Sequence, residues 1–297
     1  MRGSFTDISL GELKPFRRGK VRDVYDTSDG RLVIVATDRL SAYDCILPTG
    51  IPDKGVVLTK LSAFWFEKVR HIVPTHYITC SADEFPEPFQ YYATVLSGRT
   101  MLVRKAERID FECVVRGYLA GSAWAEYKKA GTICGETVRP GLRESERFPE
   151  PMFTPARKAS SGHDENISFD VMKDELEPKL ADKLRSVSLA LYSFATKYCE
   201  SRRLILADSK FEFGLFNGEV MLIDELFSPD SSRFWPLEDY VPGQPQEAFD
   251  KQFVRDYLNS IGWDRNPPAP PLPPDVVTKT HERYLDAMER ICGTREI

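Results

Sequence analysis

Apolar and polar residues alternate along Val21-Arg-Asp-Val-Tyr25, an apolar run fills Leu32-Val-Ile-Val-Ala36, and the turn cluster Thr27-Ser-Asp-Gly30 lies between them. That pattern predicts a β-hairpin spanning residues 19–37. The period then changes. Leu58, Leu61, Trp65, Val69 and Ile72 recur every three or four residues, which predicts an amphipathic helix closed by Pro74. Further strands are expected over 100–105 and 111–118, then a helix from about Ser122 that Gly131 would end.

Residues 132–168 keep no period, and Pro140, Pro149, Pro151 and Pro155 interrupt them ahead of a polar string at 158–166. They read as a long loop, and long loops inside compact domains usually serve function. Leu180, Leu184, Val187, Leu191, Phe194 and Tyr198 describe one long helix with Pro178 in its first turn. Leu204-Ile-Leu-Ala207 announces the sheet it would cover. Near the C-terminus, Asn266-Pro-Pro-Ala-Pro-Pro-Leu-Pro-Pro274 reads as a stiff, packed surface linker rather than a peptide ligand, followed by a helix around 276–291.

The chemistry concentrates in Asp208-Ser-Lys-Phe-Glu-Phe-Gly214 and Glu219-Val-Met-Leu-Ile-Asp-Glu225, two runs that meet at Asn217-Gly218. Alternation puts Asp208, Lys210 and Glu212 on one face and Phe211, Phe213 and Leu215 on the other. A two-residue turn would pair Phe216 with Glu219 and carry Asp224 to the phenylalanine face, where an unpartnered carboxylate is costly. A three-residue loop, Phe216-Asn217-Gly218 with the glycine as a G1 bulge, pairs Leu215 with Glu219 and sets Asp224 opposite Lys210 and diagonal to Glu212. The second register is the expected one, with Met221 and Ile223 on the apolar side. Two carboxylates with a lysine between them suit a hard divalent cation such as Mg²⁺, which also takes phosphate oxygens. A solvated strand face laced with salt bridges uses the same residues.

Length and charge narrow the partners. The 297 residues suffice for one large domain or two modest ones. Forty Lys and Arg against 45 Asp and Glu leave a net charge of −5, which offers no chain-wide attraction to nucleic acid or anionic lipid. No apolar run approaches the roughly 20 residues of a membrane span, and the start lacks a secretory pattern, so a cytoplasmic protein is expected. The six cysteines and four histidines are scattered without metal-ligand spacing, and Cys113 reads as a small core hydrophobe. Neither a Walker-A nor a Rossmann glycine pattern occurs, and there is no G-x-S-x-G elbow. A phosphate cradle would therefore be a hairpin cover beginning Gly19-Lys20-Val21-Arg22.

Six motifs then stand in order: Gly19-Lys-Val-Arg-Asp-Val-Tyr25, Asp38-Arg-Leu-Ser-Ala-Tyr-Asp44, Glu112-Cys-Val-Val-Arg-Gly-Tyr118, His163-Asp-Glu-Asn-Ile-Ser168, Asp208-Ser-Lys-Phe-Glu-Phe-Gly214 and Ser228-Pro-Asp-Ser-Ser-Arg233. Together they resemble the SAICAR synthetase family of purine biosynthesis, the phosphoribosylaminoimidazole-succinocarboxamide synthases. The likeness runs from about residue 17 to 236, and the Asp250-Lys-Gln-Phe-Val-Arg255 stretch extends it. Ser209 stands where the family commonly has threonine. The resemblance implies an α+β, ATP-grasp-like fold: a β-rich N-terminal lobe, residues 1–107, closing over ATP held against a larger α+β lobe, residues 108–297, with an antiparallel sheet. It also implies the reaction, in which ATP activates the carboxylate of an aminoimidazole ribonucleotide (CAIR) for attack by the amine of L-aspartate, giving SAICAR, ADP and phosphate. A carboxylate is a poor electrophile, so an acyl phosphate is expected on the way.

The resemblance also distributes roles. Gly19, Lys20, Val21 and Arg22 would cover the ATP phosphates, with Lys20, Arg22 and Lys210 stabilising charge on the transferred phosphoryl group. Glu212 and Asp224 match the Mg²⁺ ligands, and Lys20, Lys210, Asp208, Glu212 and Asp224 form the expected catalytic set. Arg104, Ala106 and Glu107 would meet adenine at a hinge between the lobes, and Glu112 the ribose hydroxyls. Arg116, Ser122 and Arg233 correspond to residues that hold the phosphate and ribose of CAIR, with Ser41, Lys158, Asp164 and Asp208 as further substrate contacts. Ser122 also suits a helix N-cap. Two other readings use the same residues: a small-molecule kinase, which would leave phosphate on its product, and a nucleotide-binding module without turnover.

Overall fold

The computed structural model describes residues 3–158, 164–249 and 251–297. His163 and Asp250 of the motifs above lie outside the described residues. The fold is mixed α+β with two principal antiparallel sheets. The first takes the spatial order Arg17–Arg18, Arg22–Asp26, Arg31–Ala36, Thr100–Arg104, Tyr77–Thr79. The hairpin expected at its heart is present, with Arg22 opposite Ala36 and Asp26 opposite Leu32.

The second sheet runs Glu165–Asn166, Ala156–Arg157, Glu107–Tyr118, Leu204–Phe216, Glu219–Ile223. Arg147–Phe153 adds to the Glu107–Tyr118 strand and Ser232–Pro236 to the Leu204–Phe216 strand. The stretch expected to be one long loop thus supplies three strands to this sheet and a separate two-stranded hairpin, Thr132–Ile133 with Glu136–Thr137. Its prolines concealed them: Arg147–Phe153 contains Pro149 and Pro151, which cannot donate to a ladder, and its pairing slips between Arg147 and Met152. The helix Pro178–Ser201 starts as expected, Glu177 accepting from the Leu180 amide at 2.9 Å, and buries Ala181, Leu184, Val187 and Leu191 against the two long strands. Beneath it Phe211, Phe213, Leu204 and Leu206 are all but inaccessible, each burial contributing roughly 2 kcal/mol.

The helix Lys54–Val69 departs from its amphipathic expectation. Twelve of its sixteen residues are buried, because it lies between the first sheet and the C-terminal helix Pro274–Cys292. A helix covered on both sides has no polar face to show. The proline-rich linker is packed as expected: Leu272 is buried, its amide donating to Thr49 Oγ1 at 3.0 Å. Among the described residues no helix is long and apolar enough to cross a membrane.

The register at Asn217-Gly218 is a correction. Phe216 pairs with Glu219 and Glu212 with Ile223, the two-residue turn, with Asn217 at φ 52° and Gly218 at φ 79° as a type I′ turn requires. Leu222 therefore joins Phe211 and Phe213 in the apolar cluster, and Met221 and Ile223 belong to the other face. Asp224 is nevertheless kept from the phenylalanines. The strand ends at Ile223, and Asp224 takes a left-handed conformation at φ 70°, which breaks the alternation and re-aims its carboxylate.

Residues 74–76 stitch the two sheets together. His76 N donates to Leu222 O at 2.9 Å, Leu222 N to Pro74 O at 2.8 Å, and Arg104 N to His76 O at 2.8 Å. The His76 ring is buried against Phe66, and burial pushes its pKa from 6.5 down to about 4. The unfolded chain takes up this proton near pH 6.5 and the folded chain only near pH 4. Stability from this group is thus complete above pH 6.5 and is lost as pH falls through that window. Urea unfolding of the wild type should lose about 3 kcal/mol from this source between those limits, and His76→Gln should lack that component of the slope.

Candidate active site

Strand register alone brings the first group of charges together. Asp208 pairs with Arg116 on one side and with Arg233 on the other. Arg116 Nη1 lies 3.3 Å from Asp208 Oδ2, and Arg233 Nη1 donates to the same oxygen. Arg116 also donates through Nε to Thr154 Oγ1 at 3.0 Å and through Nη2 to Ser122 Oγ at 3.1 Å. Burial weakens its hold on its proton, and Asp208 opposes that. Ser122 is not an N-cap: the helix Gly121–Ala130 is capped at Ala120, and the Ser122 hydroxyl serves Arg116 instead. Gly121, at φ 58°, makes room for Arg233, since a Cβ there would stand 2.4 Å from Arg233 Nη2.

Four residues further along the strand, Glu212 lies directly opposite Glu112. Like charges so placed repel, and two lysines compensate them. Lys210 Nζ is 2.7 Å from Glu112 Oε1; Lys158 Nζ is 2.7 Å from Glu212 Oε1 and 3.4 Å from Glu112 Oε1. Asp224 meets Arg22 Nη2 at 2.8 Å, and the same nitrogen reaches Glu225 Oε1 at 3.1 Å. Burial first, and the Asp224 charge second, push the Glu212 pKa up. Burial acts the same way on Asp224, yet Arg22, Lys210 and Lys158 outweigh it and hold that carboxyl below its ordinary value. Burial disfavours charge on Lys210 and Arg22 too, but Glu112 and Glu212 around the one, and Asp224 and Glu225 around the other, keep both firmly protonated.

These groups open on a cleft of about 1020 Å³ between the sheets. Nine basic and seven acidic side chains line it, so a chain of net charge −5 presents its cationic excess here. Gly19, Lys20, Val21, Arg22, Ser41, Glu112, Ser122, Lys158, Asp164, Lys210, Glu212, Asp224 and Arg233 all reach this cleft. Arg116 and Asp208 line an adjoining recess of about 220 Å³ that shares Ser122, Lys210 and Arg233 with it. Lys20 is ion-paired with Asp44 on the turn that follows Ser41–Ala42. Arg104, Ala106 and Glu107 do not line the cleft; they form the link between the sheets, where Arg104 donates to Thr75 O at 3.3 Å.

Asp230, Lys251, Gln252 and Arg255, which stand in the quoted motifs but were given no role by sequence reasoning, also line the cleft. Asp230 is held by Lys54 at 2.8 Å, Lys251 at 3.0 Å and the Tyr284 hydroxyl at 2.6 Å, so three helices converge on the loop that leads into the Arg233 strand. A signal existed. Val254 and Leu258 are four residues apart and buried in the helix Gln252–Ser260, with Phe253 and Tyr257 beside them. Cys113 is the core residue it was expected to be, its thiol pushed up to about 12 by burial.

Fold and cleft together define an α+β protein whose two antiparallel sheets enclose a charged, polyanion-sized site. Comparison makes the class specific. A family model described as SAICAR synthetase matches residues 15–270. The chain is 54% identical over 286 residues to the phosphoribosylaminoimidazole-succinocarboxamide synthase of Thermodesulfovibrio yellowstonii, covering 96% of this chain and 98% of that one. It is 51% identical over 283 residues to the synthase of Geotalea uraniireducens, at 95% of each chain. Among solved structures, SAICAR synthase from Saccharomyces cerevisiae complexed with SAICAR superposes with a TM-score of 0.88 at 40% identity, over 98% of this chain and 99% of that one. A SAICAR synthetase in complex with ADP shares the fold at TM-score 0.70 and 24% identity, over 95% and 99%. The chain belongs to the SAICAR synthetase family.

The Lys158–Glu212 contact is the most direct test of this charge network. A double-mutant cycle of Lys158→Met and Glu212→Gln, measured by denaturant unfolding, should return a coupling of about 1–3 kcal/mol. Additivity of the two changes would mean that the pair does not interact.

Proposed function

We propose that this cleft performs the family's reaction, the ATP-dependent joining of the CAIR carboxylate to the amine of L-aspartate, with release of SAICAR, ADP and phosphate. The chain is then a carboxylate–amine ligase of purine biosynthesis. The observation that supports this most is the pairing of two mutually repelling carboxylates, the buried Glu212 and the part-buried Asp224, with Arg22, Lys158 and Lys210 in one cleft. We read the fold as ATP-grasp-like, the sheet that carries Gly19 to Arg22 closing over the nucleotide, and the setting as cytoplasmic.

Mg²⁺ fits the donor set. Glu212 and Asp224 supply hard carboxylate oxygens at the cleft, and Mg²⁺ takes one or two such ligands alongside phosphate and water. When bound there, the ion would neutralise the triphosphate. The chain's own residues do the rest. Lys20 and Arg22 approach the phosphates from the first sheet and Lys210 from the second, so the transferring phosphoryl group meets cations from both sides. Arg116 and Arg233, fixed by Asp208, present planar forks to the CAIR phosphate, with the Ser122 hydroxyl beside them. Glu112, which lines the cleft, is the candidate partner of the nucleotide ribose, whereas Arg104, Ala106 and Glu107, outside the cleft lining, are not assigned to adenine. With the CAIR phosphate at one end and Lys158 and Asp164 at the other, the carboxylate to be activated is directed toward the ATP γ-phosphate.

ADP release should require CAIR, aspartate and Mg-ATP together. Transfer of γ-phosphate to a stable product without aspartate would instead establish a kinase. Glu212→Gln and Asp224→Asn should each lower kcat/KM by about 10²–10³-fold while leaving the circular dichroism spectrum intact. Wild-type turnover in both would overturn the metal assignment.

A further inference from the structure

The loop that leads into the Arg22–Asp26 strand owes its shape to one buried guanidinium. Arg39 is 5% exposed, and each of its five N–H groups has an acceptor. Nε donates to Lys20 O at 3.0 Å, and Nη2 to Gly19 O at 3.1 Å and Asp23 Oδ1 at 2.7 Å. Nη1 donates to Asp23 Oδ2 at 3.3 Å and to Thr6 O at 3.1 Å. Thr37, fully buried, continues the row. Its amide and hydroxyl donate to Val21 O at 3.0 and 2.8 Å, and its Oγ1 accepts from the Arg39 amide at 3.3 Å. Three successive carbonyls, those of Gly19, Lys20 and Val21, are thus taken up by residues 37 and 39.

The Lys20 side chain is treated differently. It is half exposed and reaches across the cleft to Asp44, while its own backbone is pinned. Arg39 does not line the cleft, and Asp23 neutralises it, so it brings no net charge to a ligand. Its contribution is geometric: a planar fork can satisfy two adjacent carbonyls and a bidentate carboxylate at once, and a lysine cannot.

We propose that Arg39, seated by Thr37 and Asp23, is a positioning residue that holds the Gly19–Val21 backbone in the shape that receives the ATP phosphates. This rests on the reading that the loop covers ATP. On that reading the loop meets the nucleotide rather than CAIR or aspartate, so a misplaced loop should change one substrate's parameters alone. In Arg39→Lys, which keeps the charge opposite Asp23, the KM for ATP and the Kd for ADP should both rise by about tenfold, with the KM values for CAIR and aspartate within about twofold of wild type. Thr37→Val, which removes a single hydroxyl, should raise the same two constants by about threefold.

Steady-state kinetics with each substrate varied, and calorimetric ADP titration of the same preparations, read these quantities. Unchanged ATP and ADP constants, or a parallel rise in all three KM values with a lowered melting temperature, would overturn the positioning role. Should Arg39→Lys fail to fold, Thr37→Val decides by the same criteria. Wild-type protein that releases no ADP from the complete mixture would overturn the family reaction itself; an active wild type with nucleotide-insensitive variants would overturn only the role of Arg39.

Discussion

Glu212 and Asp224 set the terms for the whole cleft. Two carboxylates drawn this far from water repel each other and lose hydration, and the opposite directions in which their proton affinities move record that conflict. Arg22 comes from the first sheet, Lys210 from the same strand as Glu212, and Lys158 from the end of the Ala156–Arg157 strand of the second sheet. The compensation is therefore tertiary. No single element could fold with these charges in place, and the two sheets are held at the cleft partly because each supplies what the other lacks. The stitch through residues 74–76 does the same in backbone hydrogen bonds.

Much of this was legible from spacing. The Gly19 hairpin, the long helix begun at Pro178 and the separation of Asp208, Lys210 and Glu212 from Phe211 and Phe213 all follow from periodicity, and all stand in the structure. The register at Asn217-Gly218 failed for an instructive reason. Weighing a buried carboxylate against a turn assumed that the strand alternates through Asp224, whereas one left-handed residue reconciled the favoured type I′ turn with a polar Asp224. Local propensity and the global requirement were both satisfied, at a residue where backbone strain serves the site.

What stayed hidden in the sequence was of two kinds. Arg147–Phe153 was concealed by prolines that an edge strand tolerates, and Lys54–Val69 looked amphipathic because three- and four-residue spacing is also present in a helix buried all round. The second kind is long-range pairing. Lys54, Asp230 and Tyr284 are far apart in the chain, and nothing in their local sequence signals that they meet. Arg39 is similar: within its motif it has no assigned role, and only its acceptors reveal that it shapes another segment.

The contrast between Arg39 and Lys20 explains how a cleft can be rigid and responsive together. Arg39 is neutralised by Asp23 inside the protein, and its partners do not depend on a ligand. Lys20, Arg22, Lys158 and Lys210 are instead paired with carboxylates that face the cleft. On the proposed reading, a phosphate chain accompanied by a divalent cation would offer both halves of these pairs a new partner, the cation to the carboxylates and the phosphate oxygens to the ammonium and guanidinium groups. Binding of that kind exchanges one set of ion pairs for another, so little uncompensated charge is created at any step. A cleft with nine basic and seven acidic side chains is suited to such an exchange. A purely cationic one would attract the nucleotide as well but would leave the cation with no ligand from the protein.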